Sequence, residues 1–288
     1  MKRLIFLVLA VGFALHTEAA STVDAANRYA YGANVGWLDW RGDTNNGAVI
    51  GDYVCSGYIY SANVGWINLG GGSPTNGIRY LNLSASDFGV NQDGLGNLRG
   101  YAWGANIGWI AFENTGAPKV DLFTGDLNGY VWSANCGWIS LSNAVAYVQT
   151  DTITPGAMDT NGLPIAWEMN YFGHTSVDPN ADLDHDGISN LQEYQAGTNP
   201  NDAKDSLRIT ASGVSFVSGN DNDTLVWNSH PSRQYRIQQR TNLISAIWID
   251  AGVLLSPDSG TNTTRTLQFS GPASQRFFRV LAIKPLAP

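Results

Sequence analysis

The residues best suited to chemistry lie in one acidic stretch: Asp182-Leu-Asp184-His-Asp186-Gly187-Ile188-Ser-Asn190-Leu-Gln-Glu193. Carboxylates stand at positions one, three, five and twelve, an amide at nine, and glycine at six. A hard divalent cation needs six to eight oxygens, and this spacing turns alternate side chains toward one point. Gly187 permits the sharp bend, the Ile188 carbonyl supplies the seventh position, Asn190 the ninth, and Glu193 closes the set with both oxygens. The surroundings agree, because Asp178 to Asp205 holds seven carboxylates and a single base, Lys204. Such a cluster repels itself unless a cation balances it. The expected cofactor is therefore Ca²⁺, held by Asp182, Asp184, Asp186, Ile188, Asn190 and Glu193.

A loop of this kind needs a helix on either side. Leu163 to Phe172 reads as the entry helix, with Pro164 in its first turn and Gly173 as its stop. Ile188 to Ala196 reads as the exit helix, ended by Gly197. Trp167, Tyr171, Leu191 and Tyr194 are placed to pack the two together. Gly162-Leu-Pro-Ile-Ala-Trp-Glu through Tyr171-Phe-Gly173, the acidic loop, and Tyr194-Gln-Ala-Gly-Thr-Asn-Pro-Asn-Asp202 together resemble thrombospondin type 3 repeats and the single loops of dockerins. The resemblance covers about 45 residues and implies an EF-hand-like calcium-binding linker over 160–205 with an extracellular spacer role. Dockerins carry two loops and this chain has one, so cohesin binding is not implied.

Upstream, one pattern recurs four times: Tyr29-Ala-Tyr-Gly-Ala-Asn-Val-Gly-Trp-Leu-Asp-Trp40, with counterparts beginning at Tyr58, Tyr101 and Tyr130. Its asparagines, Asn34, Asn63, Asn106 and Asn135, are 29, 43 and 29 residues apart. The second pair of copies thus follows the first at a constant offset of 72, as a duplicated two-hairpin unit would. Each copy alternates on both sides of a small-Ala-Asn-x-Gly turn, and so predicts a β-hairpin. The segment 20–150 is expected to be a four-hairpin β-repeat domain.

Period-two alternation divides each hairpin into two faces. One carries Ala30, Ile59, Ala102 and Val131, with Leu38, Ile67, Ile110 and Ile139, and ends on Trp40, Leu69, Phe112 and Leu141. That face is the expected core. The other carries rings, among them Tyr58, Tyr60, Trp66, Trp103, Trp109, Trp132 and Trp138. Two readings compete for it. Rings of neighbouring repeats can stack into a second packed layer, which repetition favours. Alternatively, the rings are exposed and offer flat amphipathic surfaces to a sugar.

The remaining features set the context. Lys2 and Arg3 precede the apolar run Leu4 to Leu15 and the small-residue site Thr17-Glu-Ala19, the order of a signal peptide over 1–19. No later run approaches the roughly 20 apolar residues of a membrane-spanning helix. A net charge of −8 offers no basic face to nucleic acid. Cys55 and Cys136, in an exported chain, are either a disulfide or two separate buried thiols; a bond closing about 80 residues is worth ~4 kcal/mol in the chain-entropy model.

Six strand candidates occupy 206–288, separated by turn clusters such as Ser218 to Asp223. The run Leu225 to Gln238, with Phe277-Phe-Arg-Val280 at the end, resembles fibronectin type III-like domains of bacterial surface proteins, which implies a β-sandwich. The chain has no nucleophile-elbow, zinc-protease or phosphate-loop motif, and His174, His185 and His230 are scattered. Of the carboxylates that a glycosidase pair would need, Asp39, Asp52, Asp121, Asp126 and Glu113 are available, but none recurs in matching repeat positions. The sequence therefore describes a mainly β, secreted, calcium-binding modular protein without catalytic machinery, binding a glycan or another cell-surface partner. The rival reading is a purely structural surface or matrix protein, and a polysaccharide hydrolase is the third.

Overall fold

The computed structural model describes residues 21–43, 45–242, 244, 247–270 and 275–288; the expected signal peptide lies outside them. Over these residues the chain is mainly β, with two short α-helices between two strand-rich parts.

The four sequence copies are four antiparallel hairpins. Val23–Gly32 pairs with Gly36–Asp39, and Ser56–Ser61 with Gly65–Gly71. Leu98–Gly104 pairs with Gly108–Phe112, and Tyr130–Ser133 with Gly137–Ser140. Each turn sits at the Asn-x-Gly step, where Gly36, Gly65, Gly108 and Gly137 have φ between 71° and 78°. Only glycine enters that region freely. Equivalent residues face each other across every hairpin: Ala30 and Leu38, Ile59 and Ile67, Ala102 and Ile110, Val131 and Ile139.

The hairpins also pair edge to edge. Asp39 is opposite Tyr60, Ile67 opposite Gly104, and Ile110 opposite Ser133. Ile139 then pairs with Gly32 of the first hairpin and closes an eight-stranded barrel. A barrel of this size has room inside only for side chains. Here they are the face expected to form the core: Leu38, Trp40, Ile59, Ile67, Ile110, Phe112, Val131, Ile139 and Leu141 are all buried in one cluster.

A chain of side-chain hydrogen bonds ties the turns together around one end. Asn63 Nδ2 donates to Val35 O at 3.0 Å, Asn106 Nδ2 to Val64 O at 3.1 Å, and Asn135 Nδ2 to Ile107 O at 3.0 Å. Asn34 Nδ2 completes the circuit to Cys136 O at 3.0 Å. The recurring asparagine therefore does more than tolerate a turn, because it joins each hairpin to the one before. Val35, Ile107 and Cys136, the residues between Asn and Gly, are buried at this end of the barrel.

Helix α1 (Ile165–Phe172) stops at Gly173 and α2 (Asn190–Ala196) at Gly197, both glycines in the left-handed region. The Trp167 ring packs on Tyr171 at 5.2 Å and on Tyr194 of α2 at 5.8 Å. Beyond α2, Ile209–Val217, Asn220–Asn228 and Asn262–Ser270 form one three-stranded sheet, and Ile249–Asp250, Gln234–Arg240 and Phe277–Ile283 another. Leu225, Trp227, Tyr235 and Ile237 form their shared core. The turn expected over Ser218–Asp223 is only Ser218-Gly219, both at positive φ. Asn220 onward is strand, because Arg276 neutralises the inward-facing carboxylates of Asp221 at 2.9 Å and Asp223 at 3.2 Å.

Candidate metal centre and ring-bearing surface

The loop between α1 and α2 brings its acidic residues together. Carboxylate oxygens of Asp182, Asp184 and Asp186 all lie within 4.8 Å of one another. The backbone folds around them: Gly187 N–H donates to Asp182 Oδ2 at 2.9 Å, and Ile188 N–H to Asp186 Oδ1 at 2.8 Å. Gly187 has φ 92°, so the sixth position carries the conformation that excludes other residues. At the start of α2, Ser189 N–H donates to Gln192 Oε1 at 3.0 Å, which fixes the direction in which Glu193 leaves the helix. His185 is exposed.

Three neighbouring acids do not by themselves define a metal site, and the donor set beyond them is more telling. Glu193 is fully buried, and among the described residues neither of its carboxylate oxygens has a hydrogen-bond partner. Asp184 Oδ2 and Asn190 Oδ1 are buried and unpartnered as well. Burial pushes the Glu193 carboxyl up to about 8, helped by repulsion from Asp184, Asp186, Asp182 and Asp205. Burial also raises Asp184. A protein does not ordinarily bury four acceptor atoms without donors. All four are oxygens, which suits a hard cation and not a soft one. The side chains at loop positions one, three, five, nine and twelve therefore suit a hard cation by type, and those at three, nine and twelve also by their unmet demand.

Long-range partners of this loop had no sequence signal. Arg208, at the start of the C-terminal part, pairs with Asp186 at 3.4 Å. Arg233 is buried, and its Nη2 and Nε donate to the Tyr194 and Gln195 carbonyls at 2.8 Å each, holding the last turn of α2. Lys284 pairs with Asp52 of the barrel part.

The barrel's second face is exposed. Eleven of its twelve rings, including Tyr58, Tyr60, Trp66, Trp103, Trp109, Trp132 and Trp138, are between 38% and 51% accessible. The packed-layer reading fails because the hairpins meet edge to edge through backbone pairing and not face to face, so closure sends the second face outward. Within each hairpin the indole stands against neighbouring rings, as in Tyr60–Trp66 at 4.8 Å and Trp103–Trp109 at 4.7 Å. Seven of the eight barrel strands have only four to seven residues, shorter than the roughly nine to eleven of a bilayer-spanning strand. Among the described residues no helix is long and apolar enough to cross a membrane.

Cys55 and Cys136 are two free, buried thiols. Cys136 sits at the turn of the fourth hairpin, whereas Cys55 precedes the six-residue strand Ser56–Ser61 at its far end from the turns. Six extended residues span ~20 Å, well beyond the ~7 Å that a disulfide bridges. Burial raises the Cys55 thiol to about 12. The scattered carboxylates also have local duties. Asp39 pairs with Arg28, Asp52 with Lys284, and Asp121 accepts from Phe123 and Thr124 N–H.

No protein-family model, no characterised protein and no solved structure matches the chain.

Proposed function

We propose that this is a secreted, non-catalytic, calcium-binding modular protein whose ring-bearing barrel binds a glycan or another surface partner. In this reading 160–205 is an EF-hand-like linker and 206–288 a fibronectin type III-like β-sandwich. The observation that carries it is Glu193, a fully buried carboxylate with neither oxygen paired, beside three clustered aspartates. Asp182, Asp184, Asp186, Asn190 and Glu193, with the Ile188 carbonyl, would hold Ca²⁺, and the ion would neutralise charges that otherwise oppose the helix–loop–helix geometry. The role is structural: a single loop offers no paired partner to open against, as sensor proteins need.

Calorimetry on the full chain should give one calcium per molecule, and Glu193→Gln should weaken binding by at least tenfold. Wild-type protein that takes up no calcium would end the reading. A glycan array separates the binding role from the purely structural one; folded protein that binds no glycan would favour the latter.

A further inference from the structure

A cavity of about 330 Å³ opens where the barrel part, the two helices and the C-terminal strands meet. Three cations reach it, and two are committed to protein partners. Arg233 gives its nitrogens to the end of α2 and to Ser232 Oγ at 2.8 Å. Lys284 pairs with Asp52 and lies over the Tyr194 ring. The two acids on the wall are equally occupied. Asp52 has Lys284, and Asp93 accepts from Leu95 N–H, Asn97 N–H and Asn97 Nδ2.

Arg79 is different. Its guanidinium lies 5.1 Å from the centre of the Tyr53 ring, and only Nε donates, at 3.4 Å, to Gln92 O. Among the described residues its two terminal nitrogens have no protein acceptor, which leaves an open planar fork with one unbalanced charge. The rings of Tyr53, Trp167, Tyr171 and Tyr194 make up the flat part of the lining.

These features specify complementary chemistry. A guanidinium fork matches a carboxylate in two parallel hydrogen bonds. Aromatic faces match the apolar face of a sugar ring. A single uncommitted cation balances one carboxylate but not a phosphate dianion. Junctions between structural units are common places for such sites, and the volume is at the low end of the usual range. We propose that this cavity binds a sugar acid of the hexuronate type, with its carboxylate on Arg79 and its ring against the aromatic wall. The proposal concerns a site apart from the barrel's ring face and does not depend on that face binding anything.

The test is titration of the calcium-saturated full chain with sodium glucuronate, glucose and glucose 6-phosphate, followed by calorimetry and by the change in tryptophan fluorescence. Glucuronate should bind, with glucose at least tenfold weaker. Arg79→Gln should lose at least tenfold in glucuronate affinity, and Arg79→Lys should recover part of it. Val145→Ala, exposed and outside both this cavity and the ring face, should bind glucuronate as the wild type does. Circular dichroism identifies any variant that fails to fold, and the wild-type comparison of the three ligands stands without variants. Absence of glucuronate binding, equal binding of glucose, equal or tighter binding of glucose 6-phosphate, or an undiminished Arg79→Gln variant would each overturn the proposal.

Discussion

Trp40 and Trp138 carry the same side chain in opposite surroundings. Trp40 is 2% exposed inside the barrel and Trp138 is 48% exposed outside it. Trp40→Ala should therefore cost ~3–5 kcal/mol as a core cavity, whereas Trp138→Ala should cost ~1 kcal/mol through lost ring contact with Tyr130. Urea denaturation of the two variants measures both, and any glycan binding by the barrel should be lost only with folding intact in the second. His230 supplies a pH dependence. Burial, and then the charge of Arg233, lower its pKa to about 4 from an ordinary 6.5. Between those values the unfolded chain binds a proton that the folded chain refuses, so this stability is present above pH 6.5 and is lost as pH falls toward 4. Melting temperature should fall across that window in the wild type and fall less in His230→Asn.

At the scale of the element, the hairpin turn meets three requirements, two of which involve the next hairpin. Gly36 must accept φ 74°, the neighbouring Asn63 side chain must reach Val35 O, and a Cβ on Gly36 would stand 2.8 Å from Asn63 Nδ2. Gly36→Ala thus combines left-handed strain with damage to a bond between hairpins, and should cost ~2 kcal/mol. Gly71→Ala is the control, since a Cβ there meets nothing within 4 Å, and its denaturation midpoint should hardly move. Equal effects of the two substitutions would show that the asparagine circuit does not stabilise the barrel. The two helices obey a related logic. Each ends at a glycine, and the end of α2 is held not by its own sequence but by Arg233, about 38 residues later.

For the whole molecule, α2 is the element shared between the acidic loop and the C-terminal sheets. Glu193 lies in α2, the last carbonyls of α2 hold Arg233, and Arg208 reaches back to Asp186. Under the proposed calcium role, saturation at 100 times the dissociation constant should stabilise this unit by ~2.7 kcal/mol. Chelation should open 160–205 to limited proteolysis and leave the barrel and C-terminal fragments intact, since each has its own core. Mass spectrometry of the fragments locates the cuts. A digestion pattern indifferent to calcium would detach the ion from the architecture.

What could be read from the residues alone was whatever depends on short-range spacing. The Asn-x-Gly turns, the inward set from Ala30 to Leu141, the glycine stops at Gly173 and Gly197, and the acidic positions from Asp182 to Glu193 all lie within a few residues of their partners. Alternation divides a strand into two faces and residue type marks one as core, but neither says whether the second face meets another layer. That was decided by closure: Ile139 pairing with Gly32 turned four hairpins into a barrel and left the rings outside. Closure also placed Cys55 and Cys136 apart, and folding across the junction brought Arg79, Thr198, Lys284 and Arg233 to one cavity. Contacts between residues hundreds of positions apart leave no periodic trace in the chain, because their geometry exists only once every intervening element is in place.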